Sequence, residues 1–202
     1  MIRTLTILFF VTLSFCAKSQ EYDNAFHIGW NTLVPFSDKD FTSKTSSAGV
    51  RIGYTKFINE RFGFGFEAGY STLDDYVPPA TYQLEGGAIT TDIYNYLYYF
   101  TVMANGQYYF SQGKHFIPYT SLGMGIALNE YKIFYNVYQD SDRSTGFVVR
   151  PEIGTLFRIK EYSNFGLKAS AGFDYATNKS DYFEVKNLSG FNFQIGIVLL
   201  NH

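Results

Sequence analysis

The sequence predicts an all-β protein, an eight-stranded antiparallel up-and-down transmembrane β-barrel. Three observations support this fold. Bulky apolar residues alternate with small or polar residues in eight runs, the connections between the runs alternate between short and long, and one face of the runs carries twelve of the 18 glycines. A period of two is typical of strands with unlike faces. We find no helical periodicity after residue 20.

Composition narrows the class of protein further. The chain has 202 residues, of which 46% are apolar and 20% aromatic, with 16 Lys and Arg against 18 Asp and Glu. This length suits one domain, and the apolar fraction excludes a disordered chain. We expect no nucleic-acid partner, because proteins that bind nucleic acids usually carry a strongly basic surface.

The first twenty residues are predicted to be a cleaved signal peptide, which leaves residues 21–202 as the barrel. Arg3 precedes the apolar run Thr4–Ala17, which is too short to span a bilayer and is followed by polar residues. Cleavage would remove two basic residues, Arg3 and Lys18, and the single cysteine, Cys16. The mature chain would then carry 14 basic and 18 acidic residues, a net charge of −4, and no thiol.

Eight strands are predicted in order along the mature chain. The clearest run, Phe62-Gly-Phe-Gly-Phe-Glu-Ala-Gly-Tyr70, has aromatic residues on one face and glycine or glutamate on the other. Pro151 falls inside the sixth strand and has no N–H for the ladder, so we expect a β-bulge there. The predicted strands are Ala25–Pro35, Ser47–Ile58, Phe62–Leu73, Tyr94–Phe110, Phe116–Ile133, Gly146–Ile159, Phe165–Ala176 and Gly190–Leu200.

The connections between the predicted strands alternate in length. The short ones cover residues 59–61, 111–115 and 160–164, and the long ones cover residues 36–46, 74–93, 134–145 and 177–189. Bacterial outer-membrane barrels have this arrangement, with tight periplasmic turns and longer extracellular loops. The chain is therefore predicted to lie in the outer membrane, in contact with lipid.

The space inside the barrel decides which face of the strands meets lipid. A soluble periplasmic lipocalin-like binding barrel, an alternative with the same number of strands, would enclose its apolar face. Eight strands leave an interior just wide enough for side chains, so the many Phe, Ile and Leu residues of the bulky face would not fit there. We therefore predict that the small and polar face lines the lumen.

The chain resembles the small outer-membrane β-barrel families in its signal peptide, its eight amphipathic strands and its last strand, Gly190–Leu200. It is similar to the OmpA-type and OmpX-type barrels and to the outer membrane protein beta-barrel domain (PorT-like) family. The resemblance implies insertion by the barrel-assembly machinery. Gln194, Gly196 and Leu199 match the recognition signal of these families, whereas Asn201 stands where they have an aromatic residue.

Charged side chains on the lumen face form the main candidate site. Pairing across the short turns places Arg51 diagonal to Glu67 and Arg150 opposite Asp174. These charges would either form a proton or ion path with a gate in which pairs exchange, or a static network that plugs the lumen. We expect the plug, because buried charges must be paired. The candidate residues are Arg51, Glu67, Arg150, Glu152, Arg158, Lys168 and Asp174.

Tyrosines in the long extracellular loops form a second candidate site. Tyr76, Tyr82, Tyr135 and Tyr138 lie in loops 74–93 and 134–145. Tyrosine offers a large contact area with a polar group, so these residues suit recognition of a protein or surface ligand. They equally suit packing against one another over the mouth of the barrel.

The function predicted from these features is structural or interactive, not enzymatic. None of the three histidines, His27, His115 and His202, lies near an outer loop or beside a serine on the lipid-facing belt, and we expect no cofactor and no metal site. We predict an integral outer-membrane protein with a structural, adhesion or complex-supporting role and a plugged lumen. The alternative is a narrow channel or small-solute transporter.

Overall fold

The fold is a closed antiparallel barrel. The structure, a computed structural model, describes residues 23–37, 41–84, 87–111, 113, 115–136, 138–160 and 163–201, and the predicted signal peptide lies outside these residues. The strands pair in sequence order, and the first closes the barrel against the last. The predicted eight-stranded barrel is confirmed. Within the described ranges, no helix is long and apolar enough to cross a membrane.

Two of the predicted loops are wrong, because the strands on either side continue through them. Residues 74–93 and 134–145 belong to two long hairpins that end at the pairs Leu84↔Gly87 and Tyr135↔Tyr138. A register shift between Val77 and Ala80 accommodates two prolines, which have no N–H to offer a ladder. The strands are β1 (Asn24–Pro35), β2 (Ala48–Phe57), β3 (Phe62–Leu84), β4 (Gly87–Tyr109), β5 (Phe116–Tyr135), β6 (Tyr138–Arg158), β7 (Phe165–Ala176) and β8 (Leu188–Asn201).

The outer parts of β3, β4, β5 and β6 stand above the barrel as a four-stranded sheet. β2 pairs with β3 only as far as Thr72, and β7 pairs with β6 only as far as Val148. We call residues 73–84, 87–98, 129–136 and 138–147 the extracellular wall. β3 and β6 form its two edges.

Side-chain exposure confirms the predicted inward and outward faces. Bulky apolar residues point outward, as Trp30 and Ile153 do with 52% and 65% of their surface exposed. This excludes a soluble barrel of the lipocalin type, which would enclose its apolar face. Exposed aromatic residues surround both ends of the barrel as interfacial belts. They include Phe62, Phe110, Phe116 and Phe165 at the periplasmic end, and Tyr70, Tyr94, Phe147 and Tyr175 at the outer end.

The lumen also contains two buried apolar layers that the sequence did not predict. The outer layer includes Leu73, Leu97, Met103 and Tyr131, and it is covered by Phe41 and Val185 from the β1–β2 and β7–β8 loops. The periplasmic layer is formed by Ala25, Phe57, Tyr109, Ile117, Tyr119, Leu156, Val198 and Leu200. The lumen is therefore apolar at both ends as well as polar between them.

Pro151 interrupts a ladder without the predicted bulge. The β6–β7 pairs Val149↔Tyr175 and Glu152↔Gly172 keep one register on both sides of the proline, and only the pairs at positions 150 and 151 are missing. The expected bulge is wrong because the ladder tolerates the missing N–H as a gap and takes in no extra residue.

Candidate functional site: the lumen cluster

Six charged residues meet in the lumen, and each is at most 5% exposed. The barrel brings them together because each lies on the inward face of its strand. Three are basic and three are acidic, so their formal charges cancel. We call them the lumen cluster: Arg51 from β2, Glu67 from β3, Arg150 and Glu152 from β6, and Lys168 and Asp174 from β7.

Arg150 binds two carboxylates at once. Its Nε donates to Asp174 Oδ1 and its Nη2 to Asp174 Oδ2, each over 2.5 Å, and its Nη1 donates to Glu67 Oε1 over 2.7 Å. Asp174 also accepts hydrogen bonds from Asn192 Nδ2 at 2.5 Å and from the Tyr99 hydroxyl at 3.2 Å. This planar, two-point recognition of a carboxylate is specific to arginine.

Arg51 joins the other side of the cluster. Its Nη1 lies 2.5 Å from Glu152 Oε2 and 3.5 Å from Glu67 Oε1. Its Nη2 donates to the side-chain oxygens of Asn31 and Asn192, each over 2.7 Å. Arg51 thus connects four other strands, because its partners lie on β1, β3, β6 and β8.

Lys168 lies between the two glutamates. Its Nζ is 3.8 Å from Glu67 Oε2 and 3.7 Å from Glu152 Oε1, and it donates to His27 Nε2 over 3.1 Å. An ammonium group has only donors, so Nε2 of His27 is the acceptor in that bond. The Tyr119 hydroxyl donates to Glu152 Oε1 over 2.8 Å. Every charge of the cluster therefore has an opposite charge within 4 Å.

The cluster lies between the two apolar layers of the lumen. Tyr99, which belongs to the outer layer, donates to Asp174, and Tyr119, which belongs to the periplasmic layer, donates to Glu152. Contacts therefore run without a break from one apolar layer through the charges to the other.

His27 is one of the cluster contacts that the sequence analysis missed, together with Asn31, Tyr99, Tyr119 and Asn192. His27 pairs with Gly53 across β1 and β2, and Gly53 pairs with Glu67 across β2 and β3. The glycine leaves room for the imidazole to reach across, and His27 Nε2 lies 3.4 Å from Glu67 Oε2. Extending the predicted register over three strands would have found this row.

Arg158 does not join the lumen cluster, although the sequence analysis grouped it there. Its backbone N–H donates to the His115 carbonyl oxygen over 2.8 Å, and its Nη2 donates to the Gly113 carbonyl oxygen over 2.6 Å. Both acceptors belong to the periplasmic turn between β4 and β5. Arg158 is therefore placed at the periplasmic end of the barrel, where it holds that turn.

The four candidate tyrosines lie on strands of the extracellular wall and not in loops. Tyr76 packs against Tyr94 with ring centroids 4.8 Å apart, and Tyr135 stacks on Tyr138 at 5.8 Å. Tyr82 lies near the tip of β3, where it pairs with Ile89. Tyr76 pairs with Tyr94 and Tyr135 pairs with Ile93. Neighbouring residues of a strand point to opposite faces, so the two aromatic pairs form separate patches.

The β1–β2 loop is fastened to the wall through Asp75. Asp75 Oδ2 accepts hydrogen bonds from the backbone N–H of Ser43 at 2.9 Å and from its hydroxyl at 2.7 Å, and Lys44 Nζ lies 3.3 Å from Asp75 Oδ1. Burial raises the pKa of the Asp75 carboxyl, but the bonds from Ser43 and the ammonium of Lys44 outweigh burial and lower it overall.

The arrangement can brace and fill the barrel. The described ranges contain no group of three or more His, Cys, Asp and Glu residues that could hold a metal ion. Removing any one member of such a buried cluster should destabilise the barrel, because the opposite charge would be left buried without a partner.

Comparisons with known proteins agree with this architecture. The fold is similar to that of Ail, the attachment invasion locus protein of Yersinia pestis, which was solved in complex with the heparin analogue sucrose octasulfate. The sequence identity is 14% and the TM-score is 0.56, and the match covers 90% of this chain and 99% of Ail. It is also similar to Neisserial surface protein A (NspA), with 18% identity, a TM-score of 0.55 and coverage of 87% and 96%. At these identities the likeness concerns the fold alone.

The family is shown by sequence. No curated protein matches the chain, but the family model described as the outer membrane protein beta-barrel domain matches residues 5–199. The chain is therefore a protein of the bacterial outer membrane, and it belongs to the outer membrane protein beta-barrel domain family.

Proposed function

We propose that this protein is a non-conducting, non-enzymatic outer-membrane barrel that acts in surface contact through its extracellular wall. The observation that carries the proposal is the filled lumen. A charge-balanced cluster lies between two apolar layers, and loop residues Phe41 and Val185 cover the outer layer. Since the described residues fill the lumen in this way, the outer surface and the wall are the parts of the barrel that remain for function.

The wall supports a role in contact with other molecules. It carries the tyrosines of highest exposure on β3 and β6, with Tyr76 41% and Tyr138 60% exposed. Tyrosine provides large apolar contact together with a hydrogen-bonding hydroxyl. Ail, a barrel of similar fold, was solved with a heparin analogue, which supports placing this chain in the class of surface-binding barrels.

Planar-bilayer recording tests the closed lumen. We expect no steady conductance from the purified barrel, while a general porin added to the same bilayer must conduct. A steady conductance that changes when Arg150→Glu reverses a lumen charge would establish the alternative, a narrow channel or small-solute transporter. Turnover of peptide or ester substrates by the same preparation would contradict the non-enzymatic part of the proposal.

An adhesion assay tests the wall. Cells that make the wild-type barrel are compared with cells that make a short-wall variant, in which residues 78–92 are replaced by Asn-Gly, a dipeptide suited to a two-residue hairpin. We expect the variant to lose binding to surfaces coated with extracellular-matrix protein. Heat-modifiable gel mobility confirms that both barrels are folded. Equal adhesion of both strains would contradict the surface-contact role.

A further inference from the structure

The two edges of the extracellular wall differ in how they are protected. On β3, Pro78 and Pro79 interrupt the edge, and Asp75 binds the β1–β2 loop. Proline and covering loops are the usual means by which proteins block strand addition at an edge. On β6, residues 138–147 contain no proline. The wall therefore has one blocked edge and one open edge.

The backbone of β6 directs hydrogen-bonding groups to the open side. Phe147 is the outermost residue of β6 that bonds toward the β7 side. Its carbonyl oxygen accepts from the Thr177 N–H and its N–H donates to Thr177 Oγ1, each over 2.9 Å. In an antiparallel ladder every second residue points to the same neighbour. The groups on the open side are therefore those of Gln139, Ser141, Arg143 and Thr145, and of these the Arg143 N–H already donates to Asp142 Oδ1 over 2.9 Å.

The β7–β8 loop leaves this edge uncovered because it crosses the inner face of β6. Asn178 Nδ2 donates to the carbonyl oxygens of Ala127 and Ser144, over 2.9 and 3.0 Å. A Cβ added at Gly146 would lie 2.5 Å from Asn178 N, which shows how closely the loop approaches that face. Among the described residues, the backbone N–H of Ser141 has no partner on the open side.

Two carboxylates flank the open edge on its inner face. Asp140 accepts a hydrogen bond from the Tyr135 hydroxyl at 2.9 Å, and Asp142 accepts bonds from Ser180 Oγ at 2.6 Å and from the Arg143 N–H at 2.9 Å. Within the described part of the chain neither Asp140 nor Asp142 forms an ion pair. The nearest basic residue of the strand, Arg143, lies on the opposite face and is paired with Glu130 at 2.9 Å.

We propose that the open edge of β6, Tyr138–Thr145, takes an extended segment of a partner protein as a fifth strand of the wall. The segment carries basic side chains at alternate positions, opposite Asp140 and Asp142. In strand addition, main-chain hydrogen bonds supply affinity, and alternate side chains supply specificity. The inference rests on the proposed surface-contact function and names the class of partner.

Antiparallel pairing with a second copy of this chain does not suit the edge. Two identical antiparallel edges are related by a twofold axis perpendicular to the sheet, and in one membrane this axis would turn the second barrel upside down. The same axis keeps the inner faces together, so Asp140 and Asp142 of both chains would share one face. Like charges opposite one another destabilise a sheet. A separate partner with basic side chains complements Asp140 and Asp142 and needs no inverted barrel.

The test uses the whole barrel in detergent and a fluorescent peptide, acetyl-Thr-Lys-Val-Lys-Thr-Lys-Val-Thr-amide, with a control peptide in which Glu replaces Lys. Fluorescence anisotropy should show saturable binding of the Lys peptide, roughly tenfold tighter than that of the Glu peptide. Ser141→Pro removes an N–H from the open side and should abolish binding, whereas Ser141→Ala keeps that N–H and should bind normally. Asp140→Asn with Asp142→Asn should make the two peptides bind alike.

The possible results separate this inference from the proposed function. Binding that survives Ser141→Pro in a folded barrel overturns the edge site, as does the absence of binding to the wild type. Dimerisation in analytical ultracentrifugation that Ser141→Pro abolishes would assign the edge to a second copy and also overturn it. If the peptide fails to bind but adhesion still depends on the wall, the edge inference alone is wrong. If adhesion does not depend on the wall, the surface-contact function is wrong.

Discussion

Arg150 and Asp174 face each other across β6 and β7 at the point where Pro151 interrupts the ladder, and the guanidinium forms two 2.5 Å hydrogen bonds with the carboxylate. Side-chain bonds thus join the two strands where backbone pairing is missing. Charge-assisted bidentate bonds are about twice as strong as neutral ones. The pair therefore compensates for the gap that the proline makes in the barrel wall.

Breaking this pair should destabilise the barrel strongly. Asp174→Asn keeps the shape of the side chain but removes its charge, so we expect a loss of about 3–5 kcal/mol in the free energy of unfolding. Urea titration in lipid vesicles, followed by the fluorescence of Trp30, the only tryptophan, measures the change. Arg143→Gln breaks a pair in which the arginine side chain is 81% exposed and should cost at most about 1 kcal/mol. Equal effects of the two substitutions would contradict a dominant role for the buried pair.

The strand order, the faces and the central charge pairs could be predicted because alternation and short turns fix register. The 160–164 turn places Ile159 opposite Phe165. Counting the same number of residues back along β6 and forward along β7 then places Arg150 opposite Asp174. The limits of β7, Phe165–Ala176, are those that the sequence predicts. Local pattern suffices here because the alternation runs unbroken up to the short turn that joins the two strands.

Features that depend on distant strands could not be predicted from local pattern. Residues 74–93 look like a loop because Pro78 and Pro79 interrupt the alternation, yet the pairing resumes on the other side of a register shift. The residues of the apolar layers lie on the lumen face at the same alternate positions as the polar residues, so the pattern does not separate the two groups. Only the closed barrel shows that Leu73 and Tyr131 belong to one buried layer. Arg158 also lies on the lumen face, but the tilt and stagger of the strands place it at a different height from the cluster.

Gly53 is predicted to be required for the position of His27. A Cβ added at Gly53 would lie 2.8 Å from His27 Nε2 and 3.1 Å from the Phe66 carbonyl oxygen. Overpacking of this kind costs about 1–3 kcal/mol, so Gly53→Ala should lower the free energy of unfolding by that amount. In a His27→Ala background the same substitution should cost less. A double-mutant cycle measures the coupling, and strictly additive costs would show that the imidazole is not the obstacle.

The attachment of the β1–β2 loop is predicted to depend on pH. The pKa of Asp75 in the folded protein lies below its usual value of 3.8. The stabilisation is therefore fully present above pH 3.8 and is lost as the pH falls through the lowered pKa. Hydrogen exchange of the Ser43 amide should accelerate over that window, relative to an amide of the barrel core. Asp75→Asn should remove the pH dependence, and an unchanged profile in that variant would contradict the assignment.

The signal peptide is a prediction that intact-mass measurement decides. Protein extracted from the outer membrane should lack residues 1–20 and should not react with thiol reagents, because the only cysteine is Cys16. Protein from a strain with inactive signal peptidase should keep both the mass and the thiol. A full-length mass in the outer membrane would contradict cleavage.

The last strand should be recognised more efficiently if it ends in an aromatic residue. Asn201 pairs with Asn24 and is exposed on the same outward face as Leu199. We expect Asn201→Phe to complete the recognition signal of the family and to raise the fraction of barrel folded soon after synthesis, in a pulse-chase followed by heat-modifiable mobility.

An aromatic residue there would also join the periplasmic belt, so refolding into vesicles without the assembly machinery separates the two effects. Faster folding in cells with an unchanged rate in vesicles assigns the gain to recognition by the barrel-assembly machinery, whereas equal acceleration in both assigns it to the belt. Asn201→Ala, which supplies neither feature, should leave both rates unchanged.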